Sequence, residues 1–395
     1  MRSAAAPADA WLSAHGERLR ALYPSLPENQ LLELLDQLRG SDRGAELEIT
    51  ALEQDFRVLR RALDEWRASG IRHEDELTAL AHLPEVGSAA LRNEDGAPSA
   101  MALAALADHR RAFANRLLRA WQREVRAADG STRLDLSGLA IGRLPVVIGR
   151  FDHVSELRLN GMQLAQVDGY FLACFENIVS LYLGDNRLTA LPEGLSSLQR
   201  LRFLSLRDLP LADTPQAFAA LAPAQGISPI GNLNLSGSIA TGALEPLRAV
   251  QRLGSLRSLS LDDNRLSDAQ LAQLAAMPHL QGLSLDHTGL RAEQVQQVIA
   301  PFTHLRHLSL ARNRFVQAPH FEAPPSLISL DLSDNGLPHV PEAVYQLIRS
   351  TAQGTVDIDL SDNLIAEPGA LAELTTARRL VGVEVTLNLD DNRFT

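Results

Sequence analysis

The sequence contains no lysine: all 37 of its basic residues are arginine. At average usage a chain of this length would carry on the order of twenty lysines. Their absence excludes a phosphate-loop lysine, a kinase-type lysine and any Schiff-base chemistry. It also leaves no side-chain amine for acetylation or ubiquitination. A GC-rich genome, which favours Arg and Ala codons, explains depletion well and complete absence less comfortably. Cysteine is nearly missing too. A single residue, Cys174, rules out a disulfide framework and a Cys-based zinc site. No apolar run approaches the 18 or so residues of a membrane span. The start, MRSAAAPADAW, lacks the hydrophobic core of an ordinary secretory signal. A basic surplus is also lacking. The formal net charge is −11, which argues against a general nucleic-acid binder.

What the chain does have is length and repetition. Its 395 residues suit two or three domains or one repeat array with an appendage, and 45% apolar content can fill a sizeable core. The pattern L-x-L-x-x-N-x-L recurs eleven times, starting at Leu134, Leu157, Leu181, Leu204, Leu233, Leu259, Leu283, Leu308, Leu330, Ile358 and Leu387. Successive starts lie 22 to 29 residues apart. Eleven copies exclude chance. The motif resembles the leucine-rich repeat, and it implies an α/β solenoid, a horseshoe with a parallel concave sheet. The two leucines of L-x-L point to one side of a short strand and the residue between them to the other. No repeat can bury its leucines alone, so neighbours must stack. Asn186, Asn264, Asn313, Asn335, Asn363 and Asn392 can turn inward and bond backbone groups of adjacent turns. Leu139, Met162, Leu209, Ser238 and Thr288 stand where Asn would be, which predicts a patchier ladder in the N-terminal half.

The convex segments should vary. LTALPEGLSSLQRL and LPHVPEAVYQL, with proline after an apolar residue, read as short and tight. LSDAQLAQLAAMPHL and LRAEQVQQVIAPFTHL read as helical, with Ser267 as N-cap. The Pro- and Gly-rich stretch between Leu211 and Asn232 reads as an irregular bulge. Upstream, an all-α N-terminal region precedes the array. Helical periodicity covers 9–22, 28–39 and 45–68, the last with Leu47, Leu52, Phe56, Leu59, Leu63 and Trp66 on one stripe. The expected division is a helical region at 1–99 with a polar linker at about 69–99, a capping helix at 100–130, and the eleven-repeat domain at 131–395. In the capping helix Phe113, Leu117, Trp121 and Val125 form an apolar face beside Arg116, Arg119, Arg123 and Arg126. Such a face suits a membrane surface or, the preferred reading, the exposed edge of the first repeat. The array stops at LNLDDNRFT with no capping repeat, so the expectation is that the native polypeptide continues past Thr395.

Catalytic motifs are missing: there is no H-E-x-x-H, no G-x-S-x-G and no G-x-G-x-x-G after a strand. Cys174, among apolar residues, reads as a core cysteine rather than a nucleophile. His304 and His307 lack a third metal ligand. What remains is a surface, a sheet edge-to-edge roughly 48 Å long at about 4.8 Å per strand, the scale of one side of a standard protein interface. Its N-terminal strands offer Arg158, Tyr182, Phe203 and Arg207, residue types enriched at interface hot spots. The C-terminal strands offer Asp262, Asp286, His307, Asp331, Asp357, Asp359 and Asp390, with Arg312 as the main counter-charge. Some of these carboxylates would lie about 5 Å apart and repel unless a basic partner arrives. The Asp residues next to the ladder asparagines, Asp185, Asp263, Asp334, Asp362 and Asp391, are expected to bond loop backbone instead. One flat sheet does not suit the six oxygens of calcium, so no metal or cofactor is expected.

The stretch RRAFANRLLRAWQREVRAADGSTRLDLSGLAIGRLPVVIG, followed by ELRLNGMQL and LYLGDNRLTALPEGLSSL, resembles the bacterial effectors in which a helical segment and leucine-rich repeats precede a novel E3 ligase (NEL) domain. The resemblance covers about residues 100–395. It implies that the repeats choose a host or bacterial protein substrate, and that a ligase domain carrying a Cys-x-Asp motif forms a thioester with ubiquitin. Cys174-Phe175-Glu176 does not match that motif, so no catalytic residue carries over. This chain would be the recognition portion of a virulence effector secreted into the host cytoplasm. It would meet the ubiquitin machinery only through a missing C-terminal domain. The alternative is a non-enzymatic leucine-rich-repeat binding scaffold in the cytoplasm.

Overall fold

The computed structural model describes residues 6–124, 132–222 and 226–393. Eleven strands among them form one parallel sheet in chain order, so the chain folds as a leucine-rich-repeat solenoid behind an all-α N-terminal region. Compactness divides the chain elsewhere than the expected boundaries, into Met1–Leu188 with Pro192–Leu201, and Thr189–Leu191 with Arg202–Thr395.

The first unit opens with α1 (Ala6–Leu22), α2 (Glu28–Arg39), α3 (Ala45–Ala68), α4 (Glu74–Ala79) and α5 (Ala100–Trp121). Strands β1 (Arg133–Asp135), β2 (Glu156–Arg158) and β3 (Ser180–Tyr182) follow, with α6 (Gly169–Ala173) between the last two. One expected stripe residue is corrected. Leu47 is exposed, and Ile49 is buried in its place. Stepping back three residues from Leu52 reaches Ile49, whereas Leu47 falls on another face. Aromatic rings then lock α3 to α5: Trp66 meets Phe113 at 5.3 Å and Phe56 meets Trp121 at 4.9 Å. Helix α5 starts at Ser99, whose Oγ accepts the Ala102 N–H at 3.1 Å. It packs on the first repeats through Phe113, 6.3 Å from Phe171, and through His109 Nδ1, which accepts the Ala140 N–H at 2.7 Å. Its apolar face is thereby covered, which removes the membrane-surface reading. Val125 and Arg126 lie outside the described residues.

The segment at 69–99 is not a linker. It holds α4 and two short 3₁₀ turns, and Leu77, Leu80 and Val86 bury themselves with Ala102 and Leu106 of α5. An almost wholly buried ion pair fixes it, with Arg110 Nη2 donating to Glu76 Oε1 at 2.5 Å. Arg110 also donates to the carbonyls of Trp66 and Ser69 at the end of α3. Glu76 Oε2 accepts the N–H groups of Arg72 and His73 at the start of α4. Polar composition concealed an apolar cluster and a buried ion pair.

The second unit carries β4 (Phe203–Ser205), β5 (Asn232–Asn234), β6 (Ser258–Ser260), β7 (Gly282–Ser284), β8 (His307–Ser309), β9 (Ser329–Asp331), β10 (Gly354–Asp359) and β11 (Val383–Asn388). Its helices are α7 (Glu245–Gln251), α8 (Asp268–Leu274), α9 (Val295–Ile299), α10 (Glu342–Ser350) and α11 (Leu371–Leu380). Ser267 caps α8 through the Gln270 N–H. LPHVPEAVYQL leads into a nine-residue helix, Glu342–Ser350, rather than making only a tight turn, because Pro341 precedes it at the one end where a missing N–H costs nothing. LTALPEGLSSLQRL does make a short 3₁₀ segment, Glu193–Ser197. The stretch after Leu211 holds a 3₁₀ helix, Pro215–Leu221, and 223–225 lie outside the described residues.

All six asparagines bond inward. Asn335 is typical: its Nδ2 donates to Leu310 O at 2.9 Å and Leu332 O at 3.0 Å, and its Oδ1 accepts the Asn313 N–H at 2.7 Å. Leu139, Met162 and Leu209 fill the corresponding places with buried apolar volume. Ser238 and Thr288 recover part of the function, their hydroxyls donating to Leu206 O and Leu285 O. Consecutive asparagines share carbonyls, since Asn313 Nδ2 also reaches Leu310 O and Asn363 Nδ2 also reaches Leu332 O. Asn264 has no such neighbour: its Nδ2 donates to Leu235 O and Leu261 O, its Oδ1 accepts the Ile239 N–H, and among the described residues no second asparagine reaches Leu261 O. Asn264→Ala is therefore expected to destabilise the chain more than Asn335→Ala, by about 1 kcal/mol for the extra orphaned acceptor. Urea unfolding of the two variants measures the difference; equal losses would show that carbonyl sharing gives no protection.

Candidate functional site

In every repeat, the residue just before the ladder position sits in the left-handed backbone region, with φ between 50° and 77°. Gly138, Gly161 and Gly237 occupy it without cost, and Asp185, Asp208, Asp263, Asp334, Asp362 and Asp391 tolerate it. This corrects the expectation for the Asp residues beside the asparagines. They are selected by backbone conformation. The carboxylates that bond loop backbone belong instead to the strands. Asp331 Oδ1 accepts the Ser333 N–H at 2.9 Å, and Asp359 Oδ1 accepts the Ser361 N–H at 2.9 Å and its hydroxyl at 2.6 Å.

The strand registers sort the candidate residues into rows. In the first unit the residue between the two leucines gives Asp135, Arg158 and Tyr182 side by side. The Arg158 guanidinium lies over the Tyr182 ring, 4.7 Å from its centroid, and its Nε donates to Glu156 Oε1 at 2.5 Å. In the second unit the same row runs Asn234, Ser260, Ser284, Ser309, Asp331, Asp359 and Asn388. It contains no cation. A second row, on the residue before the first leucine, brings Phe203, His307 and Asp357 into line with Asn232, Ser258, Gly282, Ser329 and Thr386. Arg207, Asp262 and Asp286 lie past the second leucine, beyond the paired strands, and Arg312 sits in the left-handed turn.

The acidic residues are not loose charges. Asp262 Oδ1 accepts the Ser284 hydroxyl at 2.5 Å and the Asp286 N–H at 2.9 Å, while its Oδ2 accepts the Ser260 hydroxyl at 2.9 Å. One repeat on, Asp286 Oδ1 accepts the Ser309 hydroxyl at 2.5 Å and the Ala311 N–H at 2.8 Å. This serine–aspartate ladder was missed from sequence; the signal was the S at the centre of L-S-L with D two residues later. Asp263 gathers His287 at 3.0 Å and Arg312 at 3.9 Å, so Arg312 answers a turn carboxylate rather than the strand-centre ones. Arg207 donates to Asp208 at 2.8 Å. Cys174 is buried, its thiol pushed up by burial. Among the described residues no group of three or more His, Cys, Asp or Glu is arranged to hold a metal ion, and no helix is long and apolar enough to cross a membrane.

No family model matches the chain, and no curated protein matches it. Solved structures are similar at low identity. An internalin (inlF) from Listeria monocytogenes is 19% identical over 68% of this chain and 83% of its own, with a TM-score of 0.41. Internalin C2 from the same species is 20% identical over 60% and 81%, with a TM-score of 0.34. Human 5T4, or trophoblast glycoprotein, is 23% identical over 62% and 82%, with a TM-score of 0.37. The repeat fold itself rests on this chain's own strands and registers.

Burial pushes the Asp286 carboxyl up to about 6; the Ser309 and Ala311 bonds oppose this, and Asp262 and Asp331 add to it. The ordinary aspartate value is about 4. Between those values the folded state binds the extra proton, so stability falls as pH rises from about 4 through 6. Asp286→Asn keeps an oxygen for both N–H and hydroxyl donors and removes the charge. Discounting the shift for remaining solvent contact, it should stabilise the chain at pH 7 by on the order of 1–2 kcal/mol and do nothing below about pH 4. Thermal unfolding across pH 4–8 checks this. A variant whose curve runs parallel to the parent's would refute it.

Proposed function

We propose that this chain is a protein-recognition module that grips its partner with the exposed rows of its sheet. The observations that carry the reading lie within each unit: Arg158 stacked over Tyr182 in the first, and in the second a strand row without a cation that includes Asp331 and Asp359. Aromatic and arginine side chains supply contact area, and the acidic row favours a partner with a basic patch. Phe203, Arg207, His307 and Asp357 belong to the same proposed surface, with Asp262, Asp286 and Arg312 at its rim. Within this reading, the resemblance to NEL-type effectors makes the chain the substrate-binding part of a ligase delivered to the host cytoplasm.

The lysine-free sequence supports the ligase reading. A recognition region tethered beside a ubiquitin-charged cysteine sits at high effective concentration, and any lysine on it invites self-modification. A surface without lysine offers only the N-terminal amine.

Recognition is tested with Arg158→Ala and Tyr182→Ala together, and separately with Asp331→Asn and Asp359→Asn, which keep the loop bonds. Surface plasmon resonance against a captured protein partner should show at least tenfold weaker binding for the first variant. The second should show slower association with a flatter salt dependence. A partner that binds both as well as the parent moves recognition off this face. For the ligase arm, Arg248→Lys and Arg291→Lys are placed in the full-length gene product and incubated with ubiquitin, activating and conjugating enzymes. Modification at the new lysines is the expected result. Bare lysines beside a ligase that discharges ubiquitin elsewhere refute avoidance of self-modification, and no discharge at all refutes the ligase reading.

A further inference from the structure

A cleft in the first unit, about 440 Å³ in volume, lies between the end of α3, the start of α4 and the loop after the first repeat signature. That volume is within the usual range for small-ligand sites, roughly 300–1,000 Å³. The loop approaches closely because of Gly142. It has φ +67°, and a Cβ there would stand 2.2 Å from the Asp75 carbonyl oxygen. One wall is apolar, with Trp66, Leu144 and Val146, the last 75% exposed. The Trp66 ring is held in place from behind by Phe113 and by the Arg110 guanidinium, 5.0 Å from its centroid.

The polar lining is unbalanced. Its three carboxylates are already engaged: Glu76 with Arg110 at 2.5 Å, Glu65 with Arg61 at 2.8 Å, and Asp168 with the Tyr170 N–H at 2.8 Å. Its two arginines are not. Among the described residues, neither Arg72 nor Arg143 has a side-chain hydrogen bond or ion pair, and the Arg143 Nε is buried without an acceptor. A buried donor left unpaired destabilises the fold, and a planar guanidinium fork matches a carboxylate with two parallel bonds. Counting the arginines paired to the lining acids, the cleft holds a surplus of one positive charge. A monoanion neutralises that surplus; a dianion would face the neighbouring carboxylates with charge left over.

We propose that this cleft binds a monocarboxylate with an apolar flank, the carboxylate bridging Arg72 and Arg143 and the flank lying on Trp66 and Val146. The proposal is independent of partner recognition by the sheet. The carboxylate is either that of a small organic acid or the C-terminus of a polypeptide, and both present the same chemistry.

Calorimetric titration of the full chain tests it with four probes: phenylacetate, inorganic phosphate, a tetrapeptide ending in a free phenylalanine carboxylate, and the same peptide amidated. Phenylacetate or the free-acid peptide should saturate the parent, and phosphate and the amide should not. The tighter of the two carboxylates assigns the source. Arg143→Gln should weaken that binding at least tenfold. Should Arg143→Gln fail to fold, as judged by circular dichroism, Arg72→Gln carries the same expectation, since its guanidinium makes no bond in the described structure. Absence of saturation by either carboxylate, tighter binding of phosphate, or unchanged affinity in the arginine variants would each overturn the proposal.

Discussion

Each repeat must turn its backbone away from the sheet while burying two leucines, and the turn leaves carbonyls pointing into the core. Those carbonyls have lost water and have no strand partner. The ladder asparagine is the solution, because one amide supplies two donors and an acceptor within reach of two successive turns. Leu183 O and Leu159 O share Asn186 in this way, and the Met162 and Leu164 N–H groups return to its Oδ1. The bond therefore belongs to the stack rather than to a repeat. This is why the repeats fold together, and why the apolar substitutions at Leu139, Met162 and Leu209 sit where the backbone turn is instead supported from neighbouring repeats and, at the N-terminal end, by packed helices.

The exposed side of the sheet obeys the same rule with different side chains. The parallel strands, most of them only three residues long, leave N–H groups unserved just past the second leucine. Asp262 and Asp286 reach forward to the next repeat, and Asp331 and Asp359 reach back to their own loop. A surface built this way is rigid before any partner arrives, which lowers the ordering cost of association. Its charge is also partly spent inside the fold. Half-buried carboxylates that accept hydroxyl and amide protons present less negative potential than the same number of free ones. On the proposed recognition surface, shape and the Arg158–Tyr182 stack would thus contribute relatively more than the count of aspartates suggests.

The sequence revealed most clearly whatever repeats. The L-x-L pairs, the asparagines and Ser267 were legible because each is fixed by a contact within one or two repeats, and periodicity samples that contact many times. The 69–99 segment was not legible because its order depends on Arg110 meeting Glu76, 34 residues apart, an ion pair that no local pattern announces. Pro341 misled for a different reason, since a proline that ends one element can begin the next. The aspartates misled because Asp serves two purposes in one turn. It accepts a left-handed backbone at one position and bonds an N–H two residues on at another, and composition alone does not separate these.

Arginine where lysine would do is informative only where the two differ. At Arg61–Glu65 and Arg111–Asp108, exposed pairs three or four residues apart on helices, a lysine would serve as well, for such pairs contribute little in either form. At Arg110 it would not. That guanidinium spreads its donors over the Trp66 and Ser69 carbonyls and the Glu76 carboxylate while its plane lies against Trp66. An ammonium offers three donors from a single point and no flat face. Local structure therefore requires arginine at the buried position 110 and is indifferent at many exposed ones. The fold does not forbid lysine, so its total exclusion originates outside the fold, in the genome's codon usage or in what the exposed surface meets.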